Sequence, residues 1–269
     1  MAARIRAGIG GWTFPPWRGA FYPKGTRQAD ELAYASRMVT AIEINATYYS
    51  MQSPQSFAKW AAQTPDDFVF TVKASRFCTN RRVLADAGEA INRFFGQGMD
   101  RLGEKLGPIL WQFMGTKKYD AADFGALLSL LPPTLASRPL RHCVEVRNAS
   151  FADPGFIALC RERGVAICCS DNSDYPLIAD VTSDFVYARL LMGADDVPTG
   201  YSPADLDLWA RRLKAYAHGK PPADLSRVEA IHTAPPRDRD VFAFFISGGK
   251  VRAPAAAMAL LSRLEDGSA

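Results

Sequence analysis

HCVEVRNASFADPGFIALCRERGVAICCSD, residues His142–Asp171, reads as a strand, a helix and a second strand. His142–Arg147 and Val165–Asp171 are short apolar runs that close on polar residues. Between them Asp153-Pro154 opens a segment of helical spacing, Pro154–Arg163. Proline suits the first helical position, where its missing N–H costs nothing, and the preceding Asp can accept a free backbone N–H. Two strands returned by a helix lie parallel, because a parallel pair cannot be joined by a tight turn.

The same alternation extends in both directions. The other predicted strands are Ile5–Gly10, Ala41–Asn45, Phe68–Lys73, Pro108–Gln112, Phe185–Leu190 and Val241–Ile246. The other predicted helices are Asp30–Val39, Pro54–Gln63, Arg82–Leu106, Ala121–Leu131, Pro203–Tyr216 and Pro254–Leu264. Ser53-Pro54 and Ser202-Pro203 repeat the start signal of Asp153-Pro154. Eight strands in strand–helix alternation predict one closed α/β domain over residues 1–269, a (β/α)8 TIM barrel. The connection Asn172–Asp184 is too short and polar for a full helix, and Ala217–Arg239, rich in Pro and charge, reads as an excursion before the last strand. An open doubly wound sheet would show the same alternation. Its phosphate turn is missing, since Gly8-Ile9-Gly10-Gly11 runs into Trp12-Thr13-Phe14-Pro15-Pro16 rather than into a helix.

A formal charge of +4, from 32 basic and 28 acidic residues, is spread along the chain, with Arg81-Arg82 and Arg211-Arg212 as the tight basic pairs. Nucleic acid is therefore not demanded. A nucleic-acid binder would be expected to present a basic face together with an aromatic platform, which a linear sequence neither shows nor excludes. Five cysteines, Cys78, Cys143, Cys160, Cys168 and Cys169, sit largely in apolar stretches without CxxC spacing. No secretory leader and no membrane span are read from the chain, so a reducing cytoplasm is the expected location.

In a barrel of this kind the carboxyl ends of the strands carry the chemistry. There the chain offers Glu43 and Asn45 on strand two, Lys73 on three, Gln112 on four, Glu145 and Arg147 on five, Asp171 on six and Arg189 on seven. Alternation puts Glu43 with Asn45 and Glu145 with Arg147 on the inward face, and Ile42, Ile44, Val144 and Val146 against the helices. These charges could pair only with one another and plug the mouth. Functional alternatives separate by residue type. Transition metal is disfavoured, because His142, His218 and His232 all miss the strand ends. A hard divalent cation on Glu145, Asp171 and Glu43 stays open. So does a glycosidase pair of Glu43 and Glu145, although Gln112 and Arg189 stand where many barrel glycosidases carry their acids. The reading that uses every charge is an anion site. Lys73, Arg147 and Arg189 would hold a phosphate or carboxylate, and Glu43, Glu145 and Asp171 would move protons. Ser247-Gly248-Gly249-Lys250 before the last helix is a weak phosphate-loop signal. Aromatic residues crowd the first two loops; most should pack locally, while Trp12 and Tyr48 join Asn45 and Gln112 in the candidate binding set.

Ile42-Glu-Ile-Asn-Ala-Thr-Tyr-Tyr49, with Ser53-Pro54, Trp60 and Thr64-Pro-Asp-Asp-Phe-Val-Phe-Thr-Val-Lys73, closely resembles the signature of the YecE-like family, also called domain of unknown function 72. Gly10-Gly-Trp12, Trp17-Arg18-Gly19, Phe21-Tyr22-Pro23, Leu106–Gln112, Cys143–Arg147, Ser170-Asp171, Tyr201 and Trp209 extend the resemblance over nearly the whole chain. It implies a TIM barrel and adds weight to Glu43, Asn45, Lys73, Gln112, Glu145, Arg147 and Asp171, but supplies no reaction. The chain departs from the family pattern at Met114-Gly115, where Pro-Pro is common, at Ile246-Ser247, where Asn-Asn is common, and at Leu191-Met192-Gly193, where His-Gly follows the strand-seven Arg.

The leading expectation is an enzyme that binds a small anionic substrate at the barrel mouth, with no organic cofactor motif. The alternative is a non-catalytic module for nucleic acid or a protein partner.

Overall fold

In the computed structural model, which describes residues 3–229 and 236–265, eight parallel strands close into a barrel. They are β1 (Ile5–Gly10), β2 (Ala41–Ile44), β3 (Val69–Lys73), β4 (Leu106–Gln112), β5 (His142–Glu145), β6 (Ala166–Asp171), β7 (Phe185–Leu190) and β8 (Asp240–Phe245). Each pairs in parallel with its neighbours in chain order, and β8 closes on β1 with Ile5 opposite Val241 and Ile9 opposite Phe245. The barrel expected from the alternation is the fold.

The longer helices around it are α1 (Glu31–Met38), α2 (Pro54–Gln63), α3 (Gly88–Phe95), α4 (Ala121–Leu130), α5 (Pro154–Glu162), α6 (Pro203–Ala217) and α7 (Ala253–Glu265). Three begin as their sequences specify: Ser53, Asp153 and Ser202 accept first-turn N–H groups ahead of a proline. The predicted helix Arg82–Leu106 is instead broken into a short turn, α3 and the 3-10 segment Met99–Lys105. Glycine is the reason. Gly98 adopts φ +90°, and a Cβ there would sit 2.6 Å from the Pro54 ring, so the backbone turns where α2 begins. Asn172–Asp184 holds no helix, as expected. The described part of Ala217–Arg239 beyond α6 holds neither helix nor strand; the remainder, with His232, lies outside the described residues. A two-stranded hairpin, Thr134–Leu135 with Arg138–Pro139, was not foreseen. No helix among the described residues is long and apolar enough to cross a membrane.

Two packed layers follow from the period-two pattern. Ile9, Ile42, Ile44, Val72, Trp111, Val144 and Cys169 face the helices in the larger core. The barrel interior is a second cluster that includes Ala41, Leu110, Cys143, Cys168, Tyr187 and Phe244. The adjacent thiols Cys168 and Cys169 thus face opposite layers, and all five cysteines are free and buried. Strand β1 adds nothing to the interior cluster; by alternation its inward positions there are Gly8 and Gly10. A Cβ on Gly8 would fall 1.8 Å from the Ala41 carbonyl oxygen, and one on Gly10 would fall 2.9 Å from both Asn45 Nδ2 and Ile246 Cδ1.

Candidate functional site

The upper interior is polar because the last inward positions of β2, β4, β5 and β7 are Glu43, Gln112, Glu145 and Arg189. Arg189, 1% exposed, bridges the two carboxylates. Its Nη2 donates to Glu43 Oε1 at 3.0 Å, and its Nη1 donates to Glu145 Oε2. Glu145 also accepts from Gln112 Nε2 at 2.8 Å and, through Oε1, from Arg147 Nε and Nη2 at 3.0 and 2.8 Å. Four donors fill its acceptor capacity. Burial alone would raise its pKa, but the Arg189 and Arg147 charges outweigh burial and hold it down at about 2. Glu43 accepts from Tyr187 Oη at 2.7 Å, and the same hydroxyl lies 2.9 Å from Thr71 Oγ1. Burial, helped by the Glu43 charge, pushes the Tyr187 phenol well above its ordinary range.

Lys73 stands above this floor under different conditions. Its residue is 7% exposed and its Nζ lies 4.2 Å from the centre of the Tyr48 ring. It makes no ion pair or hydrogen bond through Nζ among the described residues. Burial first, then the Arg189 charge, lowers its pKa to about 8. Arg147 lies two residues past β5, is partly exposed, and reaches Tyr175 Oη at 3.3 Å from the loop after β6. Asn45 begins a one-turn helix, Ala46–Tyr49, rather than ending β2, and its Nδ2 lies over Gly10. Tyr48 accepts from Asn80 Nδ2 at 3.1 Å. The partly exposed tier is therefore Arg147, Asn45, Tyr48 and Tyr175, with Lys73 buried among the mouth charges over a floor of Glu43, Arg189 and Glu145.

Several expectations need correction. Asp171 does not join the inward set. Cys168 faces the interior, so Ser170 does too, and Asp171 takes the helix side, where it accepts from Tyr201 Oη at 3.1 Å. Burial raises its pKa. Trp12 does not reach the mouth's charges either. Its ring packs edge-on against Trp60 at 5.1 Å and Phe70 at 6.2 Å, a helix-side cluster. Glu145 is held ionised and fully bonded, so it cannot serve as the proton mover first assigned to it, nor as the acid of a glycosidase pair. A hard cation would have to displace Arg189 from both carboxylates against three neighbouring positive charges. Among the described residues no group of three or more His, Cys, Asp or Glu side chains is arranged to hold a metal.

The Ser247–Lys250 turn is structural. Gly248 and Gly249 have φ of +66° and +61°, and Cβ atoms there would strike Leu191 O at 2.1 Å and Ala194 N at 2.6 Å. The nearby Val251 N–H is already given to Asp195 Oδ1 at 3.0 Å. At the departures from the family pattern, Met114 and Met192 are exposed, Leu191 is buried, and Ile246 packs toward Gly10. Thr71, Tyr175, Tyr187 and Tyr201 were not named as site residues. Thr71 and Tyr187 share the parity of Lys73 and Arg189, which could have revealed them; Tyr175, in a loop, carries no such signal.

Comparisons with known proteins agree with this architecture. The family model described as protein of unknown function DUF72 matches residues 6–269. The UPF0759 protein YecE of Escherichia coli (strain K12) is 25% identical over 151 residues, 56% of this chain, and the match spans 51% of that protein's length. A DUF72 family protein from Thermotoga maritima MSB8 superposes with a TM-score of 0.75 at 20% identity, over 97% of this chain and 99% of that one. One from Enterococcus faecalis V583 gives 0.72 at 17%, over 97% and 96%. The structure of SacUVDE gives 0.57 at 7%, over 97% and 99%, a likeness of fold. With the model matched from the first strand onward, the chain belongs to the DUF72 family.

Proposed function

We propose that the protein is an enzyme acting on a small anionic substrate, phosphorylated or carboxylated, bound at the C-terminal mouth of the barrel. The observation that carries this reading is Lys73, a nearly buried cation with no counter-ion among the described residues. Three cations, Lys73, Arg147 and Arg189, surround two carboxylates, Glu43 and Glu145, so the mouth holds one uncompensated positive charge. An anion beside Lys73 would neutralise it, and a buried charge left unpaired is costly. Tyr48, whose ring lies 4.2 Å from the Lys73 Nζ, would orient the ligand together with Arg147 and Asn45 at the neighbouring strand ends, with Glu43, Arg189 and Glu145 as its charged base.

Proton transfer falls to Lys73 in this scheme. With a pKa of about 8 the amine is the mouth group titrating nearest neutrality, whereas Glu145 remains a carboxylate. A general acid or base works best with a pKa near the working pH. Calorimetric titration with inorganic phosphate, ribose 5-phosphate and malate, on wild type and Lys73→Met, tests the reading. Binding by wild type that is lost in the variant supports it; three silent titrations of wild type would remove its basis. A non-catalytic role has one observation in its favour, the pairing of both buried carboxylates, Glu43 and Glu145, with Arg189. Binding without turnover of any bound compound would favour that role.

A further inference from the structure

Beside the charged centre of the mouth, the connections after β2, β3 and β4 bring together two things that the sequence kept apart. The first is charge. Residues 75–93 and 114–118 carry six cations, Arg76, Arg81, Arg82, Arg93, Lys117 and Lys118, against two carboxylates, Asp86 and Glu89. Lys117 is tied to Asp123 at 2.6 Å. The other five make no ion pair among the described residues, and four of them, all but Arg81, are exposed. The second is apolar surface. Five of the eight large hydrophobic side chains exposed among the described residues, Tyr49, Met51, Phe77, Val83 and Met114, lie in the connections after these three strands.

The two coincide in adjoining grooves that share Arg81. One, of about 500 Å³, is lined by Arg81, Arg82, Lys117 and Lys118 together with Met114. The other, of about 330 Å³, is lined by Tyr49, Met51, Phe77, Arg81 and Arg93. Arg81 is fixed as the ridge between them by donating to the Phe77 and Asp86 carbonyl oxygens. The rings are the more exposed parts, 65% for Tyr49 and 62% for Phe77. Apolar side chains gathered in the open are costly for a surface that meets only water, and such patches mark binding sites.

We infer that this face binds a single-stranded nucleic acid, with backbone phosphates along the Arg81–Arg82–Lys118 groove and bases stacked on Phe77 and Tyr49. Unpaired cations supply the attraction to phosphate, which weakens with salt as counter-ions are released. Exposed rings supply stacking, which a duplex does not offer because its bases are already stacked. An acidic protein would satisfy the cations but give the two rings no specific partner. The inference does not depend on the mouth reading, since none of these residues belongs to that charged centre.

Fluorescence anisotropy with a labelled oligothymidylate of about 15 nucleotides, and with the same strand in a duplex, tests it. The expected result is binding at low salt that favours the single strand. Arg82→Glu with Lys118→Glu, both exposed positions, should weaken it and lower the salt slope by about 1.4, the single-strand value for two lost phosphate contacts. Phe77→Ala should weaken it about tenfold with the salt slope unchanged. Photocrosslinking of the wild-type protein to a 5-bromouracil strand should label peptides from 75–93 or 114–118. This arm does not rely on any variant folding. No binding at low salt, equal affinity for the duplex, indifference to Phe77→Ala, or labelling elsewhere would each overturn the inference.

Discussion

The Nζ of Lys73 lies 4.2 Å from the centre of the Tyr48 ring and makes no ion pair among the described residues. A cation over an aromatic face recovers only part of the hydration it loses. Lys73 is thus a charge that the fold tolerates at a cost.

That cost has a pH signature. The folded pKa of about 8 lies below the ordinary 10.5, so between those values the unfolded chain holds the extra proton and stability rises with pH. The penalty is present below pH 8 and fades towards 10.5. Lys73→Met should therefore stabilise the protein at pH 7, by up to about 3 kcal/mol, and by much less at pH 10. Urea unfolding at the two pH values measures the difference, and equal gains at both would contradict it. Anion binding should follow the opposite course, strong below pH 8 and lost above it as the ammonium deprotonates.

The buried trio behaves in the other direction. Glu145, held at about 2 against an ordinary 4.5, contributes stability that is complete above pH 4.5 and is lost as pH falls towards 2. Replacing Arg189 by Met leaves Glu43 and Glu145 buried beside each other, and should cost about 3–5 kcal/mol. Joint replacement of all three by apolar residues should cost less than Arg189→Met alone. Denaturant titrations of the two variants decide the order.

Asp171 and Tyr201 form a helix-side strut, in which the phenol also accepts the Met192 N–H at 2.8 Å. Tyr201→Phe should lower stability by about 1–2 kcal/mol while anion affinity at the mouth stays as in wild type. A large loss of affinity with stability intact would return Asp171 to the site.

Gly8→Ala places a methyl against the Ala41 carbonyl. A loss of at least about 2 kcal/mol is expected, since backbone, unlike a side-chain tip, cannot swing aside. Thermal unfolding of the variant checks it.

The fold was readable because its signals are local: a polar strand end, a capping Ser or Asp, a proline and an apolar stripe repeat along the chain. Glu43, Lys73, Gln112, Glu145 and Arg189 were readable for the same reason, since polar and apolar residues alternate clearly in their strands. Asp171 was misread because Ile167-Cys-Cys-Ser170 offers no such contrast to fix which face is which. Whether each charge has a partner was not readable at all. That Glu145 collects four donors while the Lys73 ammonium finds no acceptor depends on side chains from strands far apart in sequence. The same holds for the basic face: Arg81-Arg82 was visible as a pair, but its meeting with Lys118 depends on β3 lying beside β4.

Arg189, which reaches past the strands beside its own, has a consequence for how the barrel assembles. Its side chain crosses the interior as a spoke, joining β7 to β2 on one side and to β5 on the other. Its partners stand 146 and 44 residues away along the chain. An incomplete barrel would hold some of these charges out of water without their partners, and so would be penalised relative to both the open chain and the closed one. That one crossing arginine thereby ties the closure of strands distant in the chain into a single cooperative event.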